Sequence, residues 1–324
     1  MENNVSLETI LNAAKRLKGK IVKTPLLRSD YIDKIFNTKL FLKAENLQTG
    51  GAFKFRGAMN TILQLSKEEK QVVAWSSGNH AQAVAAACNI FNKSATLVMP
   101  LDAPKSKIAG VKNYNGKIIF YDRNNQDRML IAKKISLEEN SVLIPPYDHK
   151  DIITGQGTLG LEIINQLEEL NFVPDLLLCC CGGGGLIAGV ASAIKSKWKK
   201  TNIHPVEPEF WDDTKRSLEK KTRLVVKDKK FSICDALLAE TPGELTFSIN
   251  KNLLSEGISV SDKEVMKAIR IGYEWLKLVI EPGGAVALTA AINNIELVKN
   301  KNVLVILSGG NIDQNIFTDA INPN

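Results

Sequence analysis

The chain has 324 residues, of which 44% are hydrophobic and 24% charged, a composition typical of a compact protein with one large or two interleaved domains. It contains no apolar run of about 18 residues, and its N-terminus (residues 1–4) lacks the basic start of a signal peptide, so we expect a cytoplasmic protein without a membrane partner. The net charge of +7 is spread over presumed helix surfaces without interleaved aromatic residues, which argues against a nucleic-acid partner.

The first part of the chain predicts an amphipathic helix from Ser6 to Lys18, a strand from Lys39 to Lys43, and a glycine turn that opens a helix near Lys54. From Val72 onward, strands and helices alternate in a pattern typical of a parallel sheet. The predicted strands of this series are Val72 to Ser76, Ala95 to Met99, Lys117 to Tyr121 and Ser141 to Ile144. The helices between them are predicted at residues 79–91, 104–114 and 125–139.

A second β-α series follows a linker at residues 145–149. Its predicted elements are a helix at 158–170, a strand starting at 175, a helix at 186–197, a strand at 203–207, helices at 261–277 and 283–293, and a strand at 303–307. We therefore predict an α/β fold with two doubly wound, mostly parallel sheets, in which a small domain (71–147) is inserted in a large one (1–70 and 148–324). The cleft between them is the expected ligand site.

The most informative stretch runs from Cys179 through four glycines to Leu186. A glycine loop between a buried strand and a helix can bring its N–H groups close to an anion, and the helix N-terminus adds unpaired donors. The loop predicts a phosphate site without saying which phosphate. Gly183, Gly185 and Ala188 also fit the loose dinucleotide pattern, with Glu207 near the position of a ribose-binding acid, and a plain tight turn is a further alternative.

The five cysteines include three adjacent ones, at positions 179–181, but no C-x-x-C pair. An odd number without such a pair indicates neither a disulfide framework nor a zinc site. We interpret the three adjacent cysteines as small buried apolar residues in a reducing compartment.

Lys54 has an unusual predicted environment. A protonated lysine in the first turn of a helix opposes the macrodipole, and the flanking Phe53 and Phe55 form an apolar surround that lowers the pKa of a lysine. Both effects favour the neutral amine, which is the form that makes a Schiff base with an aldehyde cofactor. The alternative is a lysine that reaches solvent from a loop.

Five motifs together resemble the fold-type II pyridoxal phosphate enzymes of the threonine/serine dehydratase and serine racemase family. They are residues 51–58 around Lys54, residues 76–82 (Ser-Ser-Gly-Asn-His-Ala-Gln), the tetraglycine loop, residues 281–285 (Glu-Pro-Gly-Gly-Ala) and residues 308–311 (Ser-Gly-Gly-Asn). They occur in the family order and cover nearly the whole chain. The resemblance implies a tryptophan synthase β-subunit-like fold, and it outweighs the dinucleotide alternative, which gives Lys54 no role.

The resemblance implies a role for each motif around pyridoxal 5′-phosphate. Lys54 would bind the cofactor covalently and act as base at Cα, Phe53 would pack on the pyridine ring, and Asn79 would bind the ring hydroxyl. Ser308 would meet the pyridine nitrogen, and because a hydroxyl supports a pyridinium less well than a carboxylate does, β-elimination is favoured over transamination. The 5′-phosphate would be held by the N–H groups of Gly182, Gly183, Gly184, Gly185 and Leu186.

A second turn, between a predicted strand and helix, is expected to bind the substrate carboxylate through its N–H groups. It consists of Ser76, Ser77, Gly78, Asn79 and His80. Ser77 is a candidate catalytic residue by the resemblance, with an N-cap of the following helix as the alternative. We expect His80 to be a packing residue.

Acidic residues follow the strand predicted at 203–207. Carboxylate and carbonyl oxygens suit hard cations, although such a loop is more often only solvated. The spacing resembles the divalent-cation site of serine racemase and related dehydratases, which implies that Glu207, Asp213 and the carbonyl of Trp211 bind Mg²⁺, Mn²⁺ or Ca²⁺.

The residues at three positions indicate which branch of the family this chain resembles. Strict threonine dehydratases commonly have alanine at the position of Ser77, so this serine points towards the racemase-like branch. The nucleotide-site lysine of animal serine racemase is replaced by Thr49, which argues against ATP regulation. Arg128 lies near a racemase arginine that contacts dicarboxylates, but a helix-surface arginine is the interpretation that we favour.

We therefore expect a pyridoxal phosphate-dependent lyase that deaminates L-threonine or L-serine, by β-elimination of water, to a 2-keto acid and ammonia. Serine racemase and 3-hydroxyaspartate dehydratase are the enzyme alternatives, and a non-catalytic cofactor-binding protein is a remote one. The expected partner is a small amino-acid substrate, and the expected assembly is a homodimer or homotetramer.

Overall fold

A computed structural model describes residues 5–322 of the chain. Residues 1–4, on which the prediction of no signal peptide partly rests, lie outside the described residues, as do residues 323–324. The described part contains ten strands: β1 (Leu26–Arg28), β2 (Lys39–Ala44), β3 (Gln71–Trp75), β4 (Ser94–Pro100), β5 (Lys117–Tyr121), β6 (Val142–Ile144), β7 (Leu176–Cys180), β8 (Asn202–Pro208), β9 (Ile258–Val260) and β10 (Asn302–Leu307).

Fourteen α-helices surround these strands within residues 5–322: α1 (Leu7–Leu17), α2 (Asp30–Phe36), α3 (Lys54–Ile62), α4 (Asn79–Ile90), α5 (Lys105–Asn113), α6 (Arg128–Glu138), α7 (Lys150–Glu169), α8 (Gly185–Lys197), α9 (Asp213–Lys220), α10 (Glu244–Leu253), α11 (Asp262–Leu276), α12 (Pro282–Asn293), α13 (Ile295–Val298) and α14 (Gln314–Ile321). Short 3₁₀ turns lie at Glu45–Leu47, Thr49–Gly51 and Asp235–Leu237. None of the described helices has both the length and the apolar character needed to cross a membrane.

The strands form two separate sheets. The larger has the order β1-β2-β10-β7-β8-β9, and all its neighbours are parallel except β1, which runs antiparallel to β2. The smaller has the order β5-β4-β3-β6 and is parallel throughout. The predicted fold class, with two mostly parallel sheets, is confirmed. The smaller sheet lies within residues 71–144, and the exact domain boundaries stay a prediction.

Helix α3 links the two sheets and carries Lys54 as its first residue. Its apolar face, including Phe55, Met59 and Ile62, packs in the same core as the smaller sheet. Its polar side is fixed by Arg56, a fully buried side chain that donates to both carboxylate oxygens of Glu45 at 2.7 Å. A buried ion pair of this geometry holds the first turn of α3 in one orientation relative to β2.

Helix α7 begins at Lys150, eight residues before the predicted start at 158. The prediction was wrong because Gly155 and Gly157 weaken the helical pattern before residue 158. These glycines are needed for close packing instead. A Cβ on Gly155 would lie 2.7 Å from the Cα of Gly57 in α3, so the two helices can approach this closely only without a side chain there.

Several short or polar elements were not predicted, namely β1, β9, α2, α9, α10, α13 and α14. Helix α6 starts at Arg128 instead of residue 125, because Asp127 accepts hydrogen bonds from the N–H groups of Met129 and Leu130 and forms its N-cap. The five cysteines are free and buried, which confirms the interpretation of the three adjacent ones, at positions 179–181, as small buried residues.

Candidate active site

A cavity lies between the two sheets, at the carboxyl ends of β3, β7 and β10. This is the position at which parallel α/β sheets bind ligands. The structure brings together most of the predicted cofactor and substrate residues there. Those that line the cavity are Phe53, Lys54, Ser76, Ser77, Asn79, His80, Gly182, Gly183, Gly184, Gly185, Leu186 and Ser308.

The amine of Lys54 points into this cavity and donates a hydrogen bond to the Pro146 carbonyl at 2.7 Å. Burial lowers the pKa of Lys54 to about 8. The neighbouring backbone is fixed to the end of β10, since the Phe53 N–H donates to the Ser308 carbonyl at 3.1 Å and Ala52 pairs with Gly309. The local sequence therefore places a partly neutral amine beside the end of β10.

The lowered pKa predicts how cofactor-free Lys54 reacts with an amine reagent such as trinitrobenzenesulfonate. Labelling should rise with pH around a midpoint near 8, because the neutral amine is the reactive form. An ordinary lysine should show a midpoint near 10.5. Peptide mapping after labelling at several pH values measures this, with free Nα-acetyllysine in the same reaction as the control. Equal pH profiles for Lys54 and the free amino acid would contradict the prediction.

The glycine loop connects β7 to α8 and adopts a conformation that only glycine takes easily. Gly184 has φ +89°, and a Cβ on Gly183 would lie 2.3 Å from ring carbons of Tyr147. The loop is held from outside by α10, because the Thr246 hydroxyl donates to the Gly183 carbonyl at 2.7 Å. The first N–H groups of α8 have no partner within the helix, so the loop and helix end form an anion cradle.

The turn between β3 and α4 forms the opposite wall of the cavity. The Ser77 hydroxyl donates to the Asp235 carbonyl at 3.2 Å, and the Ser76 hydroxyl accepts from the Gly78 N–H at 3.0 Å. Gly78 is the N-cap of α4 and no side chain caps that helix, so the alternative role of Ser77 as N-cap is wrong.

His80 is buried within α4, and its Nε2 lies 3.1 Å from the Ile144 carbonyl. Burial lowers the pKa of His80 to about 3, and the charge of Lys54 acts in the same direction. The imidazole is therefore neutral at physiological pH. This agrees with the expected packing role and gives no support to a role as base.

Asn79 belongs to a buried polar network that sequence analysis did not foresee. Its amide donates to the Glu281 carboxylate and accepts from Asn311 at 3.0 Å. Lys107, also buried, pairs at 2.9 Å with both Glu281 and Asp235. Because Lys107 lies on α5, this network ties the smaller sheet to the end of the larger one beside the cavity.

The predicted metal ligands lie outside the cavity, around the end of β8. Glu207 accepts hydrogen bonds from the N–H groups of Thr214 and Lys215 at 2.9 and 2.7 Å, and therefore caps α9. Both carboxylate oxygens of Asp213 are buried without a partner among the described residues. Burial raises the pKa of Asp213 to about 8 and also raises that of Glu207.

No group of three or more histidine, cysteine, aspartate or glutamate side chains within residues 5–322 is arranged to hold a metal ion. The two buried carboxylates are nevertheless a donor set that a hard cation would neutralise, and the unpartnered oxygens of Asp213 fit such an ion. The indole of Trp211 donates to the Lys230 carbonyl at 2.7 Å, so the side chain of this residue has its own partner.

Arg128 is not the helix-surface arginine that we favoured from the sequence. It is the first residue of α6 and lines the cavity together with Trp75 and Tyr147. The later start of α6 accounts for this, because the first turn of the helix meets the end of β3. Sequence analysis also missed the contribution of residues 235–239, which lie in a long connection without a predicted element.

Comparison with known proteins identifies the family. A family model described as pyridoxal-phosphate dependent enzyme matches residues 17–309. The chain belongs to this family. The resemblance predicted from the five motifs is therefore confirmed, and pyridoxal phosphate is confirmed as the cofactor. Enzymes of this family act on small amino-acid substrates.

Three similar proteins cover nearly the whole chain. Serine racemase of Schizosaccharomyces pombe is 39% identical over 97% of both chains. L-threo-3-hydroxyaspartate ammonia-lyase of Saccharomyces cerevisiae is 38% identical over 96% of this chain and 95% of its own. The solved structure of a threonine deaminase from T.th. is 36% identical with a TM-score of 0.90, covering 95% of this chain and 99% of that one.

Proposed function

We propose that the protein is an ammonia-lyase that eliminates water from L-threonine or L-serine and releases an enamine, which then takes up one water and yields a 2-keto acid and ammonia. The observation that carries the proposal is the Lys54 amine, held in the cavity with a pKa lowered to about 8 and facing a glycine-lined anion cradle. The similarity to a threonine deaminase over almost the full chain supports this choice.

The residues around the cavity fit pyridoxal phosphate. Residues 182–186 would hold the 5′-phosphate through N–H groups, which matches a loop whose Gly183 has no room for a side chain. Ser308 would meet the ring nitrogen, Phe53 would pack on the ring, and Asn79 would bind the ring hydroxyl. When bound, the cofactor supplies an electron sink that stabilises negative charge on the substrate Cα.

Different residues of the protein would bind the substrate and transfer its proton. The N–H groups of residues 76–80 would bind the substrate carboxylate, since they lie at the start of α4 on the cavity wall. The neutral amine of Lys54 would accept the Cα proton, and a pKa near 8 makes that form accessible near neutral pH. Loss of the β-hydroxyl is helped by protonation, because hydroxide is a poor leaving group.

Assay of keto acid and ammonia from a panel of amino acids tests this proposal. We expect turnover of L-threonine and L-serine by the holoenzyme and none of L-alanine, which has no β-leaving group. A holoenzyme that releases no keto acid from any β-hydroxy amino acid would overturn the proposal and leave the remote alternative of a non-catalytic binding protein. The predicted cytoplasmic location and the homodimer or homotetramer stay predictions.

A second candidate is the dehydration of 3-hydroxyaspartate. Arg128 lines the cavity and belongs to none of the ion pairs formed within residues 5–322, so it could bind a second substrate carboxylate. The similarity to a yeast L-threo-3-hydroxyaspartate ammonia-lyase supports this candidate. Serine racemisation is the remaining alternative and depends on Ser77.

We also propose a divalent cation, Mg²⁺, Mn²⁺ or Ca²⁺, held by Glu207, Asp213 and the carbonyl of Trp211. The support is the buried Asp213 carboxylate, which has no partner within the described residues and lies near a second buried carboxylate. The ion would stabilise the start of α9 and the end of β8, and it takes no part in the steps above.

A chelator is therefore expected to lower the melting temperature, and added Mg²⁺, Mn²⁺ or Ca²⁺ to restore it. An ion that binds only the folded state stabilises it by about 2.7 kcal/mol at a hundredfold excess over its dissociation constant. Asp213→Ala should remove the response, whereas Glu209→Ala, which changes an exposed carboxylate of the same loop, should keep it. Unchanged melting after chelation, in protein shown to be free of metal, would contradict the site.

A further inference from the structure

Helix α10 lies behind the glycine loop and has no role in the steps above. The four glycines of the loop line the cavity, whereas the residues of α10 do not. A Cβ on Gly184 would lie 2.7 Å from the side-chain nitrogen of Asn250 and 3.1 Å from the hydroxyl oxygen of Thr246, so the loop and the helix are in direct contact. The loop therefore has the cavity on one side and α10 on the other.

The Thr246 hydroxyl fixes one peptide group of the loop. It donates to the Gly183 carbonyl at 2.7 Å, and the N–H of Gly243, just before α10, donates to the same oxygen at 3.3 Å. In a planar trans peptide the C=O and N–H bonds point in opposite directions. Because the Gly183 carbonyl points at α10, the N–H of Gly184 in the same peptide group points away from this helix.

The Asn250 side chain acts on the next peptide group. Its amide donates to the Gly184 carbonyl at 3.3 Å, and the Ala188 N–H of α8 donates to that oxygen at 3.0 Å. The N–H of Gly185 is thereby also directed away from α10. Neither the Gly184 N–H nor the Gly185 N–H donates to another group within residues 5–322. Two consecutive free N–H groups on one side of a loop are an arrangement that binds an anion.

The position of Thr246 on α10 is itself fixed from the linker before α7. The Asp148 carboxylate accepts hydrogen bonds from the N–H groups of Glu244 and Thr246 at 2.9 and 3.0 Å. These bonds anchor the first turn of α10, and the Thr246 side chain is fully buried. Its hydroxyl therefore meets the loop from a defined direction.

Asn250 is a polar side chain in a place where packing alone favours an apolar one. It is fully buried, and its side chain makes one hydrogen bond within the described chain, to the Gly184 carbonyl. Its Oδ1 has no partner among residues 5–322. A buried polar atom without a partner lowers stability, a cost that leucine would avoid. The contact with the glycine loop accounts for an amide at this position.

We propose that Thr246 and Asn250 are positioning residues that hold the N–H groups of Gly184 and Gly185 in the direction needed to bind the 5′-phosphate of the cofactor. Neither lines the cavity, so each acts through the loop. The inference rests on the phosphate contact given under the proposed function. It assigns the preference for a phosphorylated cofactor partly to a helix outside the cavity.

The test compares two ligands of the cofactor-free protein: pyridoxal 5′-phosphate, and pyridoxal, which lacks the phosphate. Thr246→Val and Asn250→Leu each remove one donor to the loop and nearly keep the side-chain size. We expect each to weaken binding of pyridoxal 5′-phosphate about fivefold, as for one lost hydrogen bond, and to leave binding of pyridoxal unchanged. Absorbance titrations measure both dissociation constants. Thr246→Ser, which keeps the hydroxyl, and Ser248→Ala, at an exposed hydroxyl of α10, are matched controls that should change neither constant.

Thermal melting of the cofactor-free variants separates this role from a purely structural one. Asn250→Leu removes an unpartnered buried oxygen, so its melting temperature should equal or exceed that of the wild type. A lower melting temperature, together with weaker binding of both ligands, would mean that Asn250 only stabilises α10 and would overturn its role.

The binding data decide each residue separately. A folded variant that binds pyridoxal 5′-phosphate as the wild type does, or that binds both ligands equally more weakly, overturns the role of the residue changed. Asn250→Leu decides the proposal alone if Thr246→Val does not fold. A wild-type protein that binds pyridoxal as tightly as pyridoxal 5′-phosphate overturns the phosphate contact of the loop and this inference with it. Absence of keto acid from the wild-type holoenzyme refutes the lyase function instead and leaves the binding result standing.

Discussion

Replacing Lys54 with alanine is expected to abolish turnover, with a loss larger than about 10⁴-fold. The change removes the amine proposed to bind the cofactor and the base proposed for the Cα proton, and general acid–base catalysis alone is typically worth 10²–10⁴-fold. The fold should survive, because the side chain makes only one hydrogen bond, to the Pro146 carbonyl, within the described structure. Loss of such a bond costs about 1 kcal/mol.

Three measurements make this prediction specific. Borohydride reduction of the holoenzyme should fix the cofactor to the peptide that contains Lys54, and the variant should lose this label together with its visible absorption. Circular dichroism and thermal melting should confirm that the variant is folded. Lys112→Ala, at an exposed lysine of α5, should keep both label and turnover. A label that maps to any other lysine would show that the central assignment is wrong.

Regular parts of the fold were predictable because their signals are local. Strand β5 has the predicted bounds of Lys117 to Tyr121, and α11 begins after Ser261, which forms a capping box with Glu264. Helix α10 was missed because its sequence is largely polar and its start is fixed by a distant residue, Asp148. Tertiary contacts of this kind leave no periodic pattern in the sequence.

The candidate site also contains residues with local sequence signals and residues whose position depends on tertiary contacts. The residues that indicate the roles of the glycine loop and of Lys54 are adjacent in the sequence. Short motifs were therefore sufficient to predict both. Lys107 looks like a surface lysine between Lys105 and Lys112, yet it is buried against two carboxylates from other parts of the chain. Arg128 and Tyr147 reach the cavity only because a helix start and a linker meet there, which sequence spacing does not reveal.

Ser77→Ala is expected to separate two activities that share one cavity. The Lys54 amine lies on α3, whereas Ser77 lies on the turn after β3 across the cavity. One lysine reaches only one face of a planar carbanion, so racemisation needs a proton donor on the other face. The Ser77 hydroxyl already acts as a donor, to the Asp235 carbonyl at 3.2 Å, and it does not cap α4.

The variant should therefore suppress D-serine formation and the turnover of D-substrates by about 10²–10⁴-fold, and should reduce elimination from L-threonine far less. Chiral chromatography of the products, with keto acid measured in parallel, gives both rates from one reaction. Ser77→Thr, which keeps a hydroxyl, is the matched control and should retain part of the racemisation. Equal loss of both activities would mean that Ser77 helps to bind the substrate carboxylate and is not the second-face acid. Wild-type enzyme that forms no D-serine would remove the racemase alternative.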